Sequence, residues 1–236
     1  MINHPVFVAV DTQDCGRARA LAQSLASDVG GIKLGLEFFL ANGPAGIDDV
    51  CVDRPPLFLD LKLHDIPNTV ASAVRALSAL KHAPAFLTLH AQGGPEMIRA
   101  AAQARDEALP QTKLLAVTVL TSLDGEDLAA MGIHGQPLDQ VLRLGEMAVS
   151  AGADGCVCSP LEVEALREAL GQEAALMVPG IRPAGASKGD QKRVMTPAEA
   201  VKAGANFLVI GRPITQAPDP EAAAQAISQE LGYDAR

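Results

Sequence analysis

Short apolar runs alternate with longer amphipathic stretches along the whole chain. The runs Val6–Val10, Gly31–Leu36, Leu57–Lys62, Phe86–His90, Leu114–Leu120, Gly155–Cys158, Ala175–Pro179 and Phe207–Ile210 are short and rich in aliphatic residues, which predicts strands. Between them, apolar positions recur at helical spacing over Ala18–Leu25, Val70–Leu80, Glu96–Ala108, Leu138–Val149, Leu161–Leu170 and Glu221–Leu231. Strand centres lie roughly 20–40 residues apart, the spacing of repeated βα units. Eight such units predict an α/β fold of the (β/α)₈ TIM-barrel type. The chain has 236 residues, and α/β barrels run to about 250 as one unit, so residues 1–236 are expected to form a single domain. A doubly wound open sheet is the competing fold. It would carry a Gly-rich phosphate turn after its first strand, whereas Asp11-Thr-Gln-Asp-Cys-Gly16 stands there.

Side chains alternate between the two faces of a strand. Val6, Val8 and Val10 share one face, as do Ile32, Leu34 and Leu36, and Leu57, Leu59, Leu61 and Leu63. These aliphatic faces suit packing against outer helices. The opposite faces carry Phe7, Ala9 and Asp11; Gly31, Lys33 and Gly35; and Phe58, Asp60 and Lys62. Four charges, Asp11, Lys33, Asp60 and Lys62, are thereby directed into the barrel towards the C-terminal strand ends, where such barrels carry their chemistry. Asp60 and Lys62 stand at i and i+2, and Lys33 comes from the neighbouring strand, so a Lys33–Asp60–Lys62 array is expected at the rim. A structural ion-pair network is the plain alternative, at a substantial desolvation cost. Asp65, just before Pro67, favours the N-terminal dipole of the following helix in the simplest reading.

Composition narrows the function classes. Hydrophobic residues make up 48% of the chain and charged residues 20%, as in a globular protein. The formal net charge of −9 argues against non-specific binding to nucleic acid or anionic membranes, so any anion site must concentrate its cations locally. No apolar run approaches a membrane span, and the N-terminal residues MINHPVFVAVD lack a secretory pattern. Cys15, Cys51, Cys156 and Cys158 form no disulfide-like framework; reduced thiols in a cytoplasmic protein are expected.

The segment Phe58-Leu-Asp60-Leu-Lys62-Leu-His64-Asp65-Ile-Pro67-Asn68-Thr69 resembles the signature of the orotidine 5′-phosphate decarboxylase family. Val8-Ala-Val-Asp11, Ile32-Lys33-Leu-Gly35, Val117-Thr-Val-Leu-Thr121-Ser122, Val178-Pro-Gly-Ile-Arg182 and Val209-Ile-Gly211-Arg212-Pro213 are similar to that family's other blocks, in the same order. The Asp-x-Lys-x-x-Asp core recurs in related sugar-phosphate enzymes, and its continuation into Ile-Pro-Asn-Thr sharpens the resemblance. The resemblance implies decarboxylation of orotidine 5′-monophosphate to uridine 5′-monophosphate, the last step of pyrimidine nucleotide synthesis, with no cofactor and no metal. It makes Lys62 the proton donor to C6 and sets Asp60 beside the departing carboxylate. Lys33 holds Asp60 and the ribose hydroxyls, and Asp11 accepts from the ribose. Thr121 and Ser122 line the pyrimidine pocket. Asp65 and Thr69 reach into the site of a partner subunit, which implies a homodimer.

Arg182 closes the seventh predicted strand and Gly211-Arg212 the eighth, where barrel phosphate sites are often built. Gly211 allows close backbone approach and Arg212 a bidentate contact. Residues 183–193 between them read as a loop. By resemblance this loop is a lid whose Gln191 touches the phosphate. His64 and His90 read as structural histidines, Ser159 as a packing or hydrogen-bonding residue, and Asp48-Asp49 and Pro55-Pro56 as loop positions. Two other functions are weighed: a magnesium-dependent keto-sugar-phosphate decarboxylase or hexulose-phosphate synthase, where Lys33 occupies the position wanted for a metal carboxylate, and a non-catalytic nucleotide-binding barrel.

Overall fold

The computed structural model describes residues 2, 4–53, 55–183 and 194–233. Eight parallel strands follow the apolar runs: β1 (Val6–Ala9), β2 (Gly31–Gly35), β3 (Leu57–Leu63), β4 (Phe86–His90), β5 (Lys113–Val117), β6 (Gly155–Val157), β7 (Ala175–Val178) and β8 (Phe207–Ile210). Each pairs with its sequence neighbours, and β8 returns to β1, closing the barrel. Helices α1 (Cys15–Ser24), α2 (Leu36–Val50), α3 (Pro67–Ala76), α4 (Gly94–Ala108), α5 (Gly125–Ala130), α6 (Pro137–Ser150), α7 (Val163–Leu170), α8 (Pro197–Lys202), α9 (Arg212–Thr215) and α10 (Pro220–Glu230) connect the strands or follow the last of them.

The face assignments hold except at Leu36, which opens α2 and is 47% exposed. Val6, Val8, Ile32, Leu34, Leu57 and Leu59 belong to the core shell between strands and helices. Phe7, Phe58 and Phe86, with Leu115, Ala175, Met177 and Val209, form a separate cluster inside the barrel. There the rings of Phe7, Phe86 and Phe207 meet edge to face, with centroids 4.8–5.8 Å apart. Gly31 makes room for them: a Cβ there would stand 2.6 Å from the Phe7 ring. These phenylalanines sit at the first or second position of their strands, so they plug the lower half. Each buried ring removes enough apolar surface to contribute about 1.5–3 kcal/mol. The polar inner residues all lie above this plug.

Three departures from the sequence reading have local causes. The pattern predicts no helix over Leu36–Val50, yet α2 forms there. Gly43, at φ +62°, and Pro44 interrupt it, and that pair reads as a turn from sequence alone. Asp48 and Asp49 are therefore helical rather than loop positions: Asp48 accepts from the Lys81 N–H at 2.9 Å, and Asp49 pairs with Arg19 of α1. Strand β5 ends at Val117, short of the expected Leu120, because the Thr118 hydroxyl turns to the Val157 carbonyl, 3.3 Å away. Short helices α5 and α8 span less than two turns, too little for a periodic signal. Each begins at a capping box, set by Asp124 and Thr196. No helix among the described residues is long and apolar enough to cross a membrane.

Candidate active site

The C-terminal ends of β1, β2 and β3 bring four charged side chains to the rim of one cavity. Register puts Ala9 beside Lys33 and Gly35 beside Asp60. The Lys33 ammonium donates to Asp11 Oδ1 at 2.8 Å, and the Lys62 ammonium to Asp60 Oδ2 at 2.7 Å. Gly35 keeps the rim open: a Cβ there would stand 3.0 Å from Lys33 Nζ. Lys33 is largely buried, whereas Asp11 is half exposed.

The expected continuous Lys33–Asp60–Lys62 array is corrected to two separate ion pairs. Lys62 and the Thr88 hydroxyl, the latter at 2.9 Å, each donate to one oxygen of Asp60, while the Lys33 ammonium is taken up by Asp11. The i, i+2 argument for Asp60 and Lys62 also needs revision. Leu59 pairs with Leu87 but Leu63 with Leu89, so three residues of β3 oppose Thr88 alone. Lys62 stands in this bulge at φ +50°, and it is the only non-glycine residue with positive φ among the described residues. A bulge beside a reaction centre re-aims a side chain, and here it keeps the Lys62 ammonium on Asp60.

The cavity has a volume of about 470 Å³. Its charged lining comprises Asp11, Lys33, Asp60, Lys62, Arg182 and Arg212, four cations against two carboxylates in a chain of net charge −9. Apolar walls come from Phe58, Val117, Val119, Val157 and Val209. Thr121 and Gly211 line it as expected. Arg182 is fixed by its own N–H, which donates to the Met195 carbonyl at 3.0 Å, and by its guanidinium on the Ile181 carbonyl at 2.8 Å. Gln191 lies outside the described residues.

Three expected site residues are not on this cavity wall. Ser122 is exposed. Asp65 is exposed too and accepts from the Ile66 N–H at 2.6 Å. Thr69 is exposed in the first turn of α3. They share with Ile66, 66% exposed, an outward stretch running from His64 to Thr69. Conversely, Thr215 and Gln216 line the cavity without any sequence signal, since they follow Arg212 around a single helical turn. Thr88 carries no motif signal, although strand alternation makes it the inward residue between Phe86 and His90. His90 has a buried, unpartnered Nδ1, and its ring lies 5.4 Å from that of His64. Burial, followed by His64 and Lys62, holds the His90 imidazole below its ordinary pKa. Ser159 caps the turn before α7 in a capping box with Glu162, the hydrogen-bonding half of its expected structural role.

A closed (β/α)₈ barrel with paired ammonium and carboxylate groups on its first strand ends, and arginines after its last two, defines an enzyme class that handles anionic substrates at the barrel mouth. The chain belongs to the orotidine 5′-phosphate decarboxylase / HUMPS family, whose profile matches residues 4–227. Among its relatives, an orotidine 5′-phosphate decarboxylase of Paramagnetospirillum magneticum is 55% identical, over 98% of this chain and 100% of that one. One of Gluconobacter oxydans is 53% identical over 96% of each. The crystal structure of orotidine 5′-phosphate decarboxylase from Lactobacillus acidophilus superposes with a TM-score of 0.86 at 38% identity, covering 97% of this chain and 99% of that one.

Proposed function

We propose that this chain decarboxylates orotidine 5′-monophosphate to uridine 5′-monophosphate, in pyrimidine nucleotide synthesis, using only its own side chains. The observation that carries the reading is the Lys62–Asp60 pair, 2.7 Å apart, held at the rim of a cavity whose other charged walls are Lys33, Asp11 and two arginines.

The C6–carboxylate bond breaks and its electron pair stays on C6, in the ring plane, where the π-system cannot spread it. Carbon dioxide leaves neutral. Stabilisation then has to come from charge already in place, because a preorganised ammonium needs no reorganisation as the carbanion develops. Lys62 takes that role and delivers its proton to C6; solvent returns a proton to the amine afterwards. Asp60 faces the substrate carboxylate, so their repulsion fades as carbon dioxide forms. Most of the rate is assigned to Lys62, whose attraction grows towards the transition state. Thr121 borders the pyrimidine. Lys33 and Asp11 act as a unit on the ribose hydroxyls, one donating and one accepting. Arg182, Gly211 and Arg212 take the phosphate, and Gln191 is assigned to the same group. Binding the remote dianion lets a non-reacting group organise the chemistry.

Asp65 and Thr69, too exposed to serve their own cavity, complete the site of a partner subunit, which makes the homodimer the active unit. Ser122 is retained as a peripheral pyrimidine contact of the substrate-bound state. Four free thiols suit a reducing compartment, the cytoplasm.

The test is loss of orotidine monophosphate followed by ultraviolet absorbance, with and without a strong chelator. Chelator-insensitive conversion to uridine monophosphate is expected. Failure of this substrate, with metal-dependent turnover of a keto-sugar phosphate, would move the chain to the other branch of its family. Tight nucleotide binding without turnover would make it a binding protein.

A further inference from the structure

Strand β4 supplies a single residue, Thr88, opposite the three-residue bulge of β3 that contains Asp60 and Lys62. Its side chain is fully buried. The hydroxyl oxygen accepts from the Lys62 backbone N–H at 2.9 Å, and the hydroxyl proton goes to Asp60 Oδ1 at 2.9 Å. Both bonds come from one group, so they couple two features that would otherwise be independent. The first is the left-handed backbone of Lys62, a conformation that costs a residue with a Cβ and persists only where the surroundings enforce it. The second is the rotation of the Asp60 carboxylate, whose other oxygen is thereby left to the Lys62 ammonium at 2.7 Å. The bulge has taken a ladder bond away from the Lys62 N–H, and the threonine hydroxyl replaces it.

We propose that Thr88 is a positioning residue for the decarboxylation assigned above: its hydroxyl fixes the backbone turn at Lys62 and the orientation of Asp60, so that ammonium and carboxylate meet the reacting carbon in register. The inference rests on that reaction. Thr88 touches no substrate atom; it acts through the two groups that do. Its loss therefore affects the turnover step far more than substrate capture, which the ribose and phosphate contacts supply.

Three variants test this in the full-length protein. Thr88→Val keeps shape and volume and deletes the hydroxyl; Thr88→Ser keeps the hydroxyl. Thr112→Val removes another buried threonine hydroxyl, which donates to the Pro84 carbonyl at 2.7 Å, next to the base of β5 and remote from the bulge. Thr88→Val is expected to lower kcat about ten- to a hundredfold with KM within about threefold, the mark of a transition-state interaction. Thr88→Ser is expected to recover kcat to within about threefold, and Thr112→Val to lower the unfolding midpoint while leaving kcat alone. A kcat for Thr88→Val within threefold of wild type, or Thr88→Ser as impaired as Thr88→Val, overturns the proposal. If wild type itself fails to turn over orotidine monophosphate, the reaction assignment falls, and crystal structures decide the positioning claim separately. Lys62 relaxed to negative φ, or Asp60 rotated off it, in Thr88→Val supports the coupling; an unchanged bulge and ion pair overturns it.

Discussion

The Lys33–Asp11 pair is lopsided, and that asymmetry has a measurable consequence for stability. The Lys33 side chain is 11% exposed, while that of Asp11 is 58% exposed. At their 2.8 Å separation the Coulomb attraction is about 6 kcal/mol for an effective dielectric near 20 and about 1.5 kcal/mol in water. With Asp11 half in solvent, the screened value is the better guide. Removing Asp11 leaves an ammonium in the barrel wall with its partner gone, the costly way to break such a pair. Asp11→Ala should therefore lose about 1–3 kcal/mol, below the full cost for a wholly buried pair. Lys33→Met removes the buried charge and keeps an unbranched apolar chain, leaving Asp11 to water; its cost should lie within about 0.5 kcal/mol of zero. The double variant should resemble Lys33→Met alone. Urea unfolding of all four proteins reads this directly. A Lys33→Met penalty equal to or larger than that of Asp11→Ala would refute the reasoning, whatever either change does to activity.

Other consequences follow from the same geometry. Replacing Arg212 by Ala removes the guanidinium proposed to hold the phosphate and should lower kcat/KM about ten- to a hundredfold, with free phosphite dianion restoring little; near-wild-type kinetics would remove Arg212 from the phosphate site. Equimolar mixing of Lys62→Ala and Asp65→Ala, each expected to be inactive alone, with subunit exchange, should return about a quarter of wild-type activity if Asp65 serves the partner's site, and none if it serves its own. His4, whose ring bridges the Val6 N–H at 3.2 Å and the Ser228 hydroxyl at 2.9 Å, is held below the ordinary histidine range by burial, although Asp28 pulls the other way. The unfolded chain therefore binds a proton below about pH 6.5 that the folded chain refuses, so stability falls as pH drops from 7 towards 5. His4→Gln should flatten that slope in urea midpoints, and an unaltered slope would contradict it. Burial pushes the Cys51 and Cys156 thiols up to about 12, Cys51 with help from Asp48, and Cys158 is equally buried, so a thiol reagent at pH 8 should titrate Cys15 alone before denaturation.

The barrel was legible because its physics is local. Alternation within each run separated Val6, Val8 and Ile32 from Phe7 and Phe58, and both groups pack as that alternation requires. Placing Asp11, Lys33, Asp60 and Lys62 at one rim needed only strand direction. The pairing among them was not legible, because it depends on side-chain geometry across neighbouring strands: Asp11 meets Lys33, while Lys62 and Thr88 of the next strand meet Asp60. The bulge that sets Lys62 at φ +50° leaves no trace in an apolar pattern that continues unbroken through Leu63. Helix α2 was hidden by Gly43-Pro44, whose ordinary meaning is a turn. That Asp65 and Thr69 are exposed and off their own cavity wall is likewise a three-dimensional fact, since in sequence they stand within seven residues of Lys62.

In the proposed mechanism the Lys62 ammonium, paired with Asp60 at 2.7 Å, performs the proton transfer and most of the charge stabilisation. Its most direct test is the ultraviolet decarboxylation assay on Lys62→Ala beside wild type, with folding of the variant verified by its thermal midpoint. A properly folded variant whose turnover has fallen by at least about ten-thousandfold is expected, in line with the loss of a proton donor together with its electrostatic contribution. Turnover comparable to wild type in that variant would contradict it.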